Sequence, residues 1–468
     1  MSEWKKVKIG EICRIVKGTT GIASAEPGEY PLVVTVEERK TCSTYQFDQE
    51  AVCIPLVSSS GHGKKSLKNV HYQSGKFALG TILCAVIPNN PKQLDARFLH
   101  QYLQFYKDTL LVPLMKGAAN VSLSMKDIAT VEVPLPPIEK QRELADLFVS
   151  LQKKEKLLHE KYAKQTEYAK LLRQSILQQA IEGKLTADWR KQNLVQKGNT
   201  DYDAEALFEQ IQKGEVSPSL PSQVAPRIVP ASSADSLRFV GLSATPSAGS
   251  NATRNARSKS LAPITDEEKP FEIPNGWKWV RLGEIGESNI GVTYHPEDVC
   301  ENGFPIYRSN NIVNGQISNS DLIRISFKPR DSQILQLHDI LLCARNGSQK
   351  LVGKCAIIND INEDISFGAF MTIYRSMFYQ FVFLLFLSDF FRNYMDNSSS
   401  TKIYQLTQAM LMNCVCPLPP LKEQEEIVNK VETLLAKVTT LENQIQNRKS
   451  LSDKLVFGII KENLEGKI

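Results

Sequence analysis

The sequence predicts an α/β protein made of two pseudo-symmetric α/β domains separated by two long antiparallel coiled-coil helices. Three observations lead there. Pro134-Leu135-Pro136-Pro137-Ile138-Glu139-Lys140-Gln141 returns as Pro417-Leu418-Pro419-Pro420-Leu421-Lys422-Glu423-Gln424, a shift of 283 residues. The same shift relates Glu182-Gly183-Lys184 to Glu465-Gly466-Lys467, so no residue is inserted between the two marks in either copy. The opening Trp4-Lys5-Lys6-Val7-Lys8-Ile9-Gly10-Glu11-Ile12 resembles Trp277-Lys278-Trp279-Val280-Arg281-Leu282-Gly283-Glu284-Ile285, at a shift of 273. A constant length between proline signature and glycine is what packed helices require, because one extra residue rotates everything beyond it by about 100°.

The resulting plan is a first body (1–133), a first long helix (134–185), a flexible linker (186–271), a second body (272–416) and a second long helix (417–468). The bodies read as α/β. In the first, Gly80-Thr81-Ile82-Leu83-Cys84-Ala85 reads as a strand and 95–110 as a helix. In the second, Asp339-Ile340-Leu341-Leu342-Cys343-Ala344-Arg345 is the matching strand, Val352 to Ile358 and Phe367 to Arg375 are further strands, and 378–395 is a helix. Asn346-Gly347 is a turn signal.

Each long helix has its own punctuation. Pro137 and Pro420 suit the first turn, where a missing N–H costs nothing, and Gly183 and Gly466 suit the residue just past the end. Roughly 45 residues lie between, about 68 Å of helix. The second helix carries Ile427, Val431, Leu434, Val438, Leu441, Ile445, Leu455 and Ile459 on a heptad stripe, interrupted by Arg448 and Ser452. Subtracting the shift gives Leu144, Phe148, Leu151, Glu155, Leu158, Tyr162, Leu172 and Ile176, interrupted by Gln165 and Ala169. Coincident stripes predict a mutual coiled-coil seam, with the helices antiparallel and the bodies at opposite ends if a pseudo-twofold relates the halves. Between the helices, 214–263 is rich in Ser, Ala and Pro and reads as flexible. It holds an Asn251-Ala252-Thr253 sequon and the sparse basic residues Arg254, Arg257 and Lys259.

Composition excludes more than it identifies. The net charge is +5 over 468 residues; the first body has 16 Lys and Arg against 12 Asp and Glu (+4), the second 12 against 14 (−2). Any basic surface must therefore be local. The nine cysteines form no CxxC pair and no Cys/His cluster with zinc spacing, so reduced thiols in a cytoplasm are expected, with no metal site. The apolar run Met377 to Phe391 is too short to cross a bilayer and reads as a buried helix. No catalytic signature appears: Ser58 to Ser66 lacks the first glycine of a phosphate loop, Glu38-Arg39-Lys40 has no partner acid, and Asn89-Asn90-Pro91-Lys92 reads as a turn.

What remains are binding surfaces. The loop His62 to Asn69 gathers Lys64, Lys65 and Lys68 beside glycines and serines that suit approach to phosphates. In the second body, Arg308, Asn310 and Asn311 form one cluster, and Arg345, Asn346, Gln349 and Lys350 another. These types offer bidentate hydrogen bonds to base edges.

The doubled proline signatures, openers and Glu-Gly-Lys ends closely resemble the specificity subunit of type I restriction-modification enzymes, over nearly the whole chain except the linker. The resemblance implies that the bodies are target recognition domains, each reading one half of a bipartite site on double-stranded DNA. It implies that the helices dock two methyltransferase subunits, joined by restriction subunits that translocate and cleave. S-adenosylmethionine, ATP and magnesium would then be used by the partners, with no cofactor, no catalysis and no membrane association in this chain. The alternative is a non-DNA coiled-coil adaptor presenting two protein-binding heads.

Overall fold

The structure, a computed structural model, describes residues 4–60, 63–217, 261–398 and 405–466. It divides into two compact units, the first joining 1–166 to 443–468 and the second spanning 167–442. Each unit therefore holds one body, a stretch of the first long helix (Ile138–Ile181) and a stretch of the second (Leu421–Leu464).

In the first unit the strands are β1 (Lys6–Lys8), β2 (Cys13–Lys17), β3 (Tyr30–Val33), β4 (Lys40–Cys42), β5 (Phe47–Asp48), β6 (Ala51–Pro55), β7 (His71–Gln73), β8 (Lys76–Leu79), β9 (Leu83–Pro88) and β10 (Glu132–Pro134). An antiparallel sheet runs β2-β9-β6-β7, and a second runs β4-β3-β8-β5 with β3 and β8 parallel. β1 pairs with β10, tying the opener to the proline signature. The fully buried apolar residues of β6 and β9 mark the centre of the body, and the helix Ala96–Leu110 covers one face. Asp95 caps that helix by accepting from the backbone N–H groups of Arg97 and Phe98, leaving the chain extended just before it.

The second unit continues with β11 (Lys278–Arg281), β12 (Glu287–Ile290), β13 (Val299–Tyr307), β14 (Ile312–Val313), β15 (Gln316–Ile317), β16 (Ile323–Ile325), β17 (Ile340–Cys343), β18 (Cys355–Ile357), β19 (Ser366–Phe367), β20 (Met371–Arg375) and β21 (Val415–Leu418). Its sheets run β12-β20-β17-β18 and β16-β13-β19, with β13 and β19 parallel and β11 paired to β21. The two bodies thus share a core strand order, β2-β9-β6-β7 with β12-β20-β17-β18 and β4-β3-β8 with β16-β13-β19, while β5 has no counterpart and the β14–β15 pair is added in the second. That order equates β6 with β17 and β9 with β20, so the strand at Gly80–Ala85 does not match Asp339–Arg345. Both are buried central strands, and their apolar runs are alike for that reason. Further strands expected at Val352–Ile358 and Phe367–Arg375 shorten to β18 and β20. The helix expected at 378–395 is two helices, Tyr379–Leu387 and Asp389–Ser398, broken where the Ser388 hydroxyl donates to the carbonyl of Leu385.

The proline signature has a physical reason. Gln141 is fully buried; its side-chain amide donates to the carbonyls of Pro136 and Gln93 and accepts from the N–H of Asp95. Gln424 repeats the first of these bonds, to Pro419 at 2.8 Å. The glutamine satisfies carbonyls that precede the helix and that proline-rich chain leaves without ladder partners.

Two further expectations change. The linker is shorter than 186–271. After a turn at Lys184–Thr186, the helices Ala187–Gln192 and Ala204–Lys213 form, and Leu207, Phe208 and Ile211 join the core of the second unit. On the far side, residues 261–271 are held by Arg281, which donates to the carbonyl of Ala262 and pairs with Glu268 at 3.0 Å. Asn251, Arg254, Arg257 and Lys259 lie outside the described residues.

The seam also departs from a strict heptad. In the second unit the helices are antiparallel, with Arg173 donating to Thr439 and Glu442 while Lys430 donates to the carbonyl of Leu185. Leu144, Phe148, Ile176, Ile427, Val431 and Val438 are buried, and Leu151, Leu158, Leu434 and Ile459 are half-buried, as the stripe requires. Leu172, Leu441 and Leu455 are exposed instead. A straight helix drifts about 20° per heptad, so residues two and four heptads along turn away from the seam by about 40° and 80°. The neighbours Glu442 and Val456 are half-buried instead.

One buried charge distinguishes the copies. The Glu423 carboxylate, nearly inaccessible, accepts from Thr186 Oγ1 at 2.6 Å, from Trp277 Nε1 at 2.8 Å and from the Arg190 guanidinium. Its counterpart one repeat earlier is the partly exposed Lys140. Glu423→Ala strands three donors and is expected to cost about 3 kcal/mol. Lys140→Ala, removing only a surface pair, should cost under about 0.5 kcal/mol. Denaturant unfolding of the two variants checks the difference, and equal losses would mean that Glu423 does not hold the unit together.

Candidate nucleic-acid interface

The lysine loop connects β6 to β7, and the loop bearing Arg345 to Lys350 connects β17 to β18, the topologically equivalent strands. Two candidate clusters that share no sequence therefore occupy the same place in the fold.

In the first body the loop is tied by its serines. The Ser58 hydroxyl donates to the carbonyl of Lys64 at 2.5 Å, Ser60 and Ser66 share a bond at 2.7 Å, and Ser59 Oγ accepts from the N–H of Lys68 at 2.9 Å. Leu67 and Val70 are buried, while Lys64, Lys65 and Lys68 are all exposed. His62 lies outside the described residues. A second segment flanks the loop. Ser58 N–H donates to the carbonyl of Val121 at 3.0 Å, which places 116–122 beside it, with Lys116 and Asn120 exposed. Sequence reading missed that neighbour because sixty residues separate the two segments. Lys116 is also an ion-pair partner of Asp127 at 3.2 Å.

In the second body the arrangement sorts the candidates. Arg345 is exposed, with its guanidinium 5.8 Å from the centroid of the exposed Phe370 ring, a cation–π contact that keeps both side chains outward. The backbone N–H groups of Ala344 and Arg345 both donate to the carbonyl of Phe370, which fixes the pair. Phe370 is a further candidate that no local pattern signals. Lys350 is exposed, and Asn346 turns the loop by accepting from the N–H of Ser348. Gln349 donates to Asp396 at 3.0 Å and so has part of its capacity engaged.

The cluster at 308–311 is largely consumed by the fold. Asn311 is fully buried: its amide donates to the carbonyls of Ser318 and Asp321, and its oxygen accepts from the N–H of Arg308. It cannot reach a base, and the expectation for it is corrected. Arg308 pairs with Asp321 at 2.7 Å, and Asn310 donates to the same carboxylate. Asparagine in a turn serves backbone caps as readily as base edges, which is why sequence did not separate the two roles. Lys354 joins the two clusters by donating to the carbonyl of Ser309 at 3.2 Å.

Residues 1–166 and 274–448 match the family described as Type I restriction modification DNA specificity domain. The chain belongs to that family. Its relatives include the Type I restriction enzyme EcoAI specificity subunit of Escherichia coli, 28% identical over 200 residues, which are 41% of this chain and 34% of that one. The EcoDI specificity subunit of Escherichia coli is 21% identical over 468 residues, covering all of this chain and 89% of that one. The stretch matched to the EcoAI subunit is thus about a third of that relative's length. A solved structure described as the basis of complex assembly and conformational transition of the type I R-M system superposes with a TM-score of 0.64 at 15% identity, covering 100% of this chain and 99% of that chain, a likeness of fold. Among the described residues no helix is long and apolar enough to cross a membrane.

The lysine loop ends on a buried histidine. His71 on β7 has no hydrogen-bond partner for Nε2, and its Nδ1 lies 3.4 Å from the Arg39 guanidinium. Burial first, then the charge of Arg39 and the neighbouring His100, hold its imidazole down at about 4. An unfolded histidine titrates near ~6.5, so the unfolded chain takes up a proton that the folded chain refuses. The stabilising contribution is complete above about pH 6.5 and is lost as pH falls toward about 4, by up to roughly 3 kcal/mol. His71→Phe should flatten that part of the stability–pH curve. An unchanged slope in the variant would show that His71 is not the group titrating.

Proposed function

We propose that this chain is the DNA-reading subunit of a type I restriction-modification complex. In this reading each body contacts one half of a bipartite duplex site, and partner subunits methylate adenine and cleave. The observation that carries it is the shared topology with unshared loops: the β6–β7 loop offers three exposed lysines, and the β17–β18 loop offers Arg345, Asn346 and Lys350 beside Phe370. Lysines tied to a serine-rich loop suit phosphates, whereas an arginine steadied by a ring suits a base edge. S-adenosylmethionine, ATP and magnesium belong to the partners, and this chain supplies position and no chemistry. The site of action is the DNA of the cytoplasm.

Duplex binding by the complex is expected to weaken steeply with salt. Replacing Lys64, Lys65 and Lys68 by Ala should weaken it on every sequence and lower the salt slope by up to about 3. Arg345→Ala should cost about 1–3 kcal/mol and relax one half only of the methylated sequence. Fluorescence anisotropy and mapping of methylated adenines check both. Salt-insensitive binding, or both halves changing together, would point to a protein-binding adaptor instead.

Two methyltransferase subunits need two equivalent docking places. Tyr168 and Leu172 on the first helix are 66% and 45% exposed, and Leu451 and Leu455, one repeat later, are 68% and 61% exposed. The same apolar pair stands uncovered at the same register in both helices, which supports two copies of one partner. Leu451→Asp with Leu455→Asp should leave the melting temperature within about 2 °C, since both side chains already face water. Co-purified methyltransferase should fall by about half. Full retention of the partner would remove this surface from the reading.

A further inference from the structure

Three side chains of metal-ligating type converge on the helix pair of the first unit. Glu155 and His159 stand one helical turn apart on the first long helix, and Asp453 faces them from the second. One ligand atom from each lies within 4.8 Å of the other two, and His159 Nε2 is 2.7 Å from Asp453 Oδ1. All three residues are of intermediate burial, with the His159 and Asp453 side chains 40% and 44% exposed.

Glu155 supplies a second observation. It occupies a seam position between Leu151 and Leu158, where the repeat places Val438 in the other helix. A half-buried carboxylate there is costly unless something compensates it. Yet Glu155 makes no ion pair or hydrogen bond among the described residues, although Lys156 is its neighbour and lines the same shallow groove. The cluster brings two carboxylates and an imidazole to one point, and only the His159–Asp453 contact, in which Nε2–H donates to the carboxylate, uses any of it; a cation would take Nε2 once that proton had moved to Nδ1. By the same shift His159 corresponds to Glu442 in the second unit, which is satisfied by an ordinary ion pair with Arg173 at 2.8 Å.

We propose that Glu155, His159 and Asp453 bind one borderline divalent cation of the zinc class, which pins the two helices together in the first unit. Mixed imidazole and carboxylate donors suit zinc, at about 2.0–2.2 Å each, and leave a fourth position to water. Ligand atoms around such an ion stand roughly 3.3–3.5 Å apart, so the short His–Asp contact opens and Glu155 closes by a small rotation of flexible side chains. Zinc spacing is absent from the sequence because the ligands are 294 residues apart at their widest bridged pair.

Cobalt(II) titration of the full-length chain, followed by its visible absorption, tests the site. One equivalent should bind with a spectrum of nitrogen and oxygen ligation, and stoichiometric zinc should displace it. Glu155→Gln and His159→Gln keep side-chain volume and should each weaken binding by more than about 100-fold, beyond the loss typical of an outer-sphere partner. Their melting temperatures in chelator should match the parent's, and zinc should raise only the parent's. A thiolate-to-cobalt absorption, no uptake by the parent, or equal uptake by the variants would each overturn the proposal. If a variant fails to fold, Asp453→Asn from the opposite helix gives the same readout.

Discussion

Each body is completed by the end of the helix that belongs to the other repeat. Gly183 ends the first long helix at φ +69° and lies against Trp277 and Pro274, where a Cβ would come within 2.9 and 2.7 Å of their rings. Gly466 ends the second at φ +67° against Trp4, with a Cβ at 3.1 Å from the indole. Both conditions, left-handed backbone and no room, select glycine. The opening tryptophan of each body therefore waits for a glycine that arrives from elsewhere in the chain. This exchange is why the opener, the proline signature and the Glu-Gly-Lys end recur while the bodies diverge. It also explains the fixed length between signature and glycine, since one inserted residue would swing the glycine about 100° away from its indole.

The exchange leaves the loops unconstrained. The β6–β7 and β17–β18 loops leave equivalent strands and return to equivalent strands, and among the described residues neither supplies a neighbour to Gly183 or Gly466. One can become a serine-tied lysine loop, the other an arginine on a ring, without disturbing β1–β10 or β11–β21. Small net charge is consistent with this division. Binding residues need only crowd one loop, and the remainder of each body can stay near neutral, as the +4 and −2 balances show.

Duplication was legible in the sequence because it needs only identity at a fixed shift. The α/β class, the long helices and their glycine caps followed from signals within a few residues of one another. What escaped was non-local. Gln141 and Gln424 read as helix residues, and their bonds to carbonyls five residues back appear only in three dimensions. Asn311 carried the chemistry of a base reader and serves a turn. The helices after Gly183 were absorbed into the linker because their apolar residues, Leu207, Phe208 and Ile211, make too short a stripe to announce a partner. Phe370 had no pattern at all around it.

The seam shows how a true repeat can yield a partly wrong contact list. Heptad spacing was read correctly, but heptads predict a buried stripe only when the helices supercoil enough to cancel the drift of a 3.6-residue turn. Each helix here is 44 residues long and is gripped near its ends by the tryptophan–glycine contact and by the buried glutamine. Between those grips the drift turns heptad positions away from the seam, by up to about 80° at Leu172 and Leu455. Side chains there are chosen less for burial than for what meets them: Arg173 with Glu442 in one unit, and Glu155, His159 and Asp453 in the other. Polar groups at the centre of a seam weaken it, but they also fix its register, because sliding by one turn would break the Arg173–Glu442 and His159–Asp453 contacts. Leucines turned outward by the same drift stand free for another surface, and the register that exposes one pair exposes its repeat.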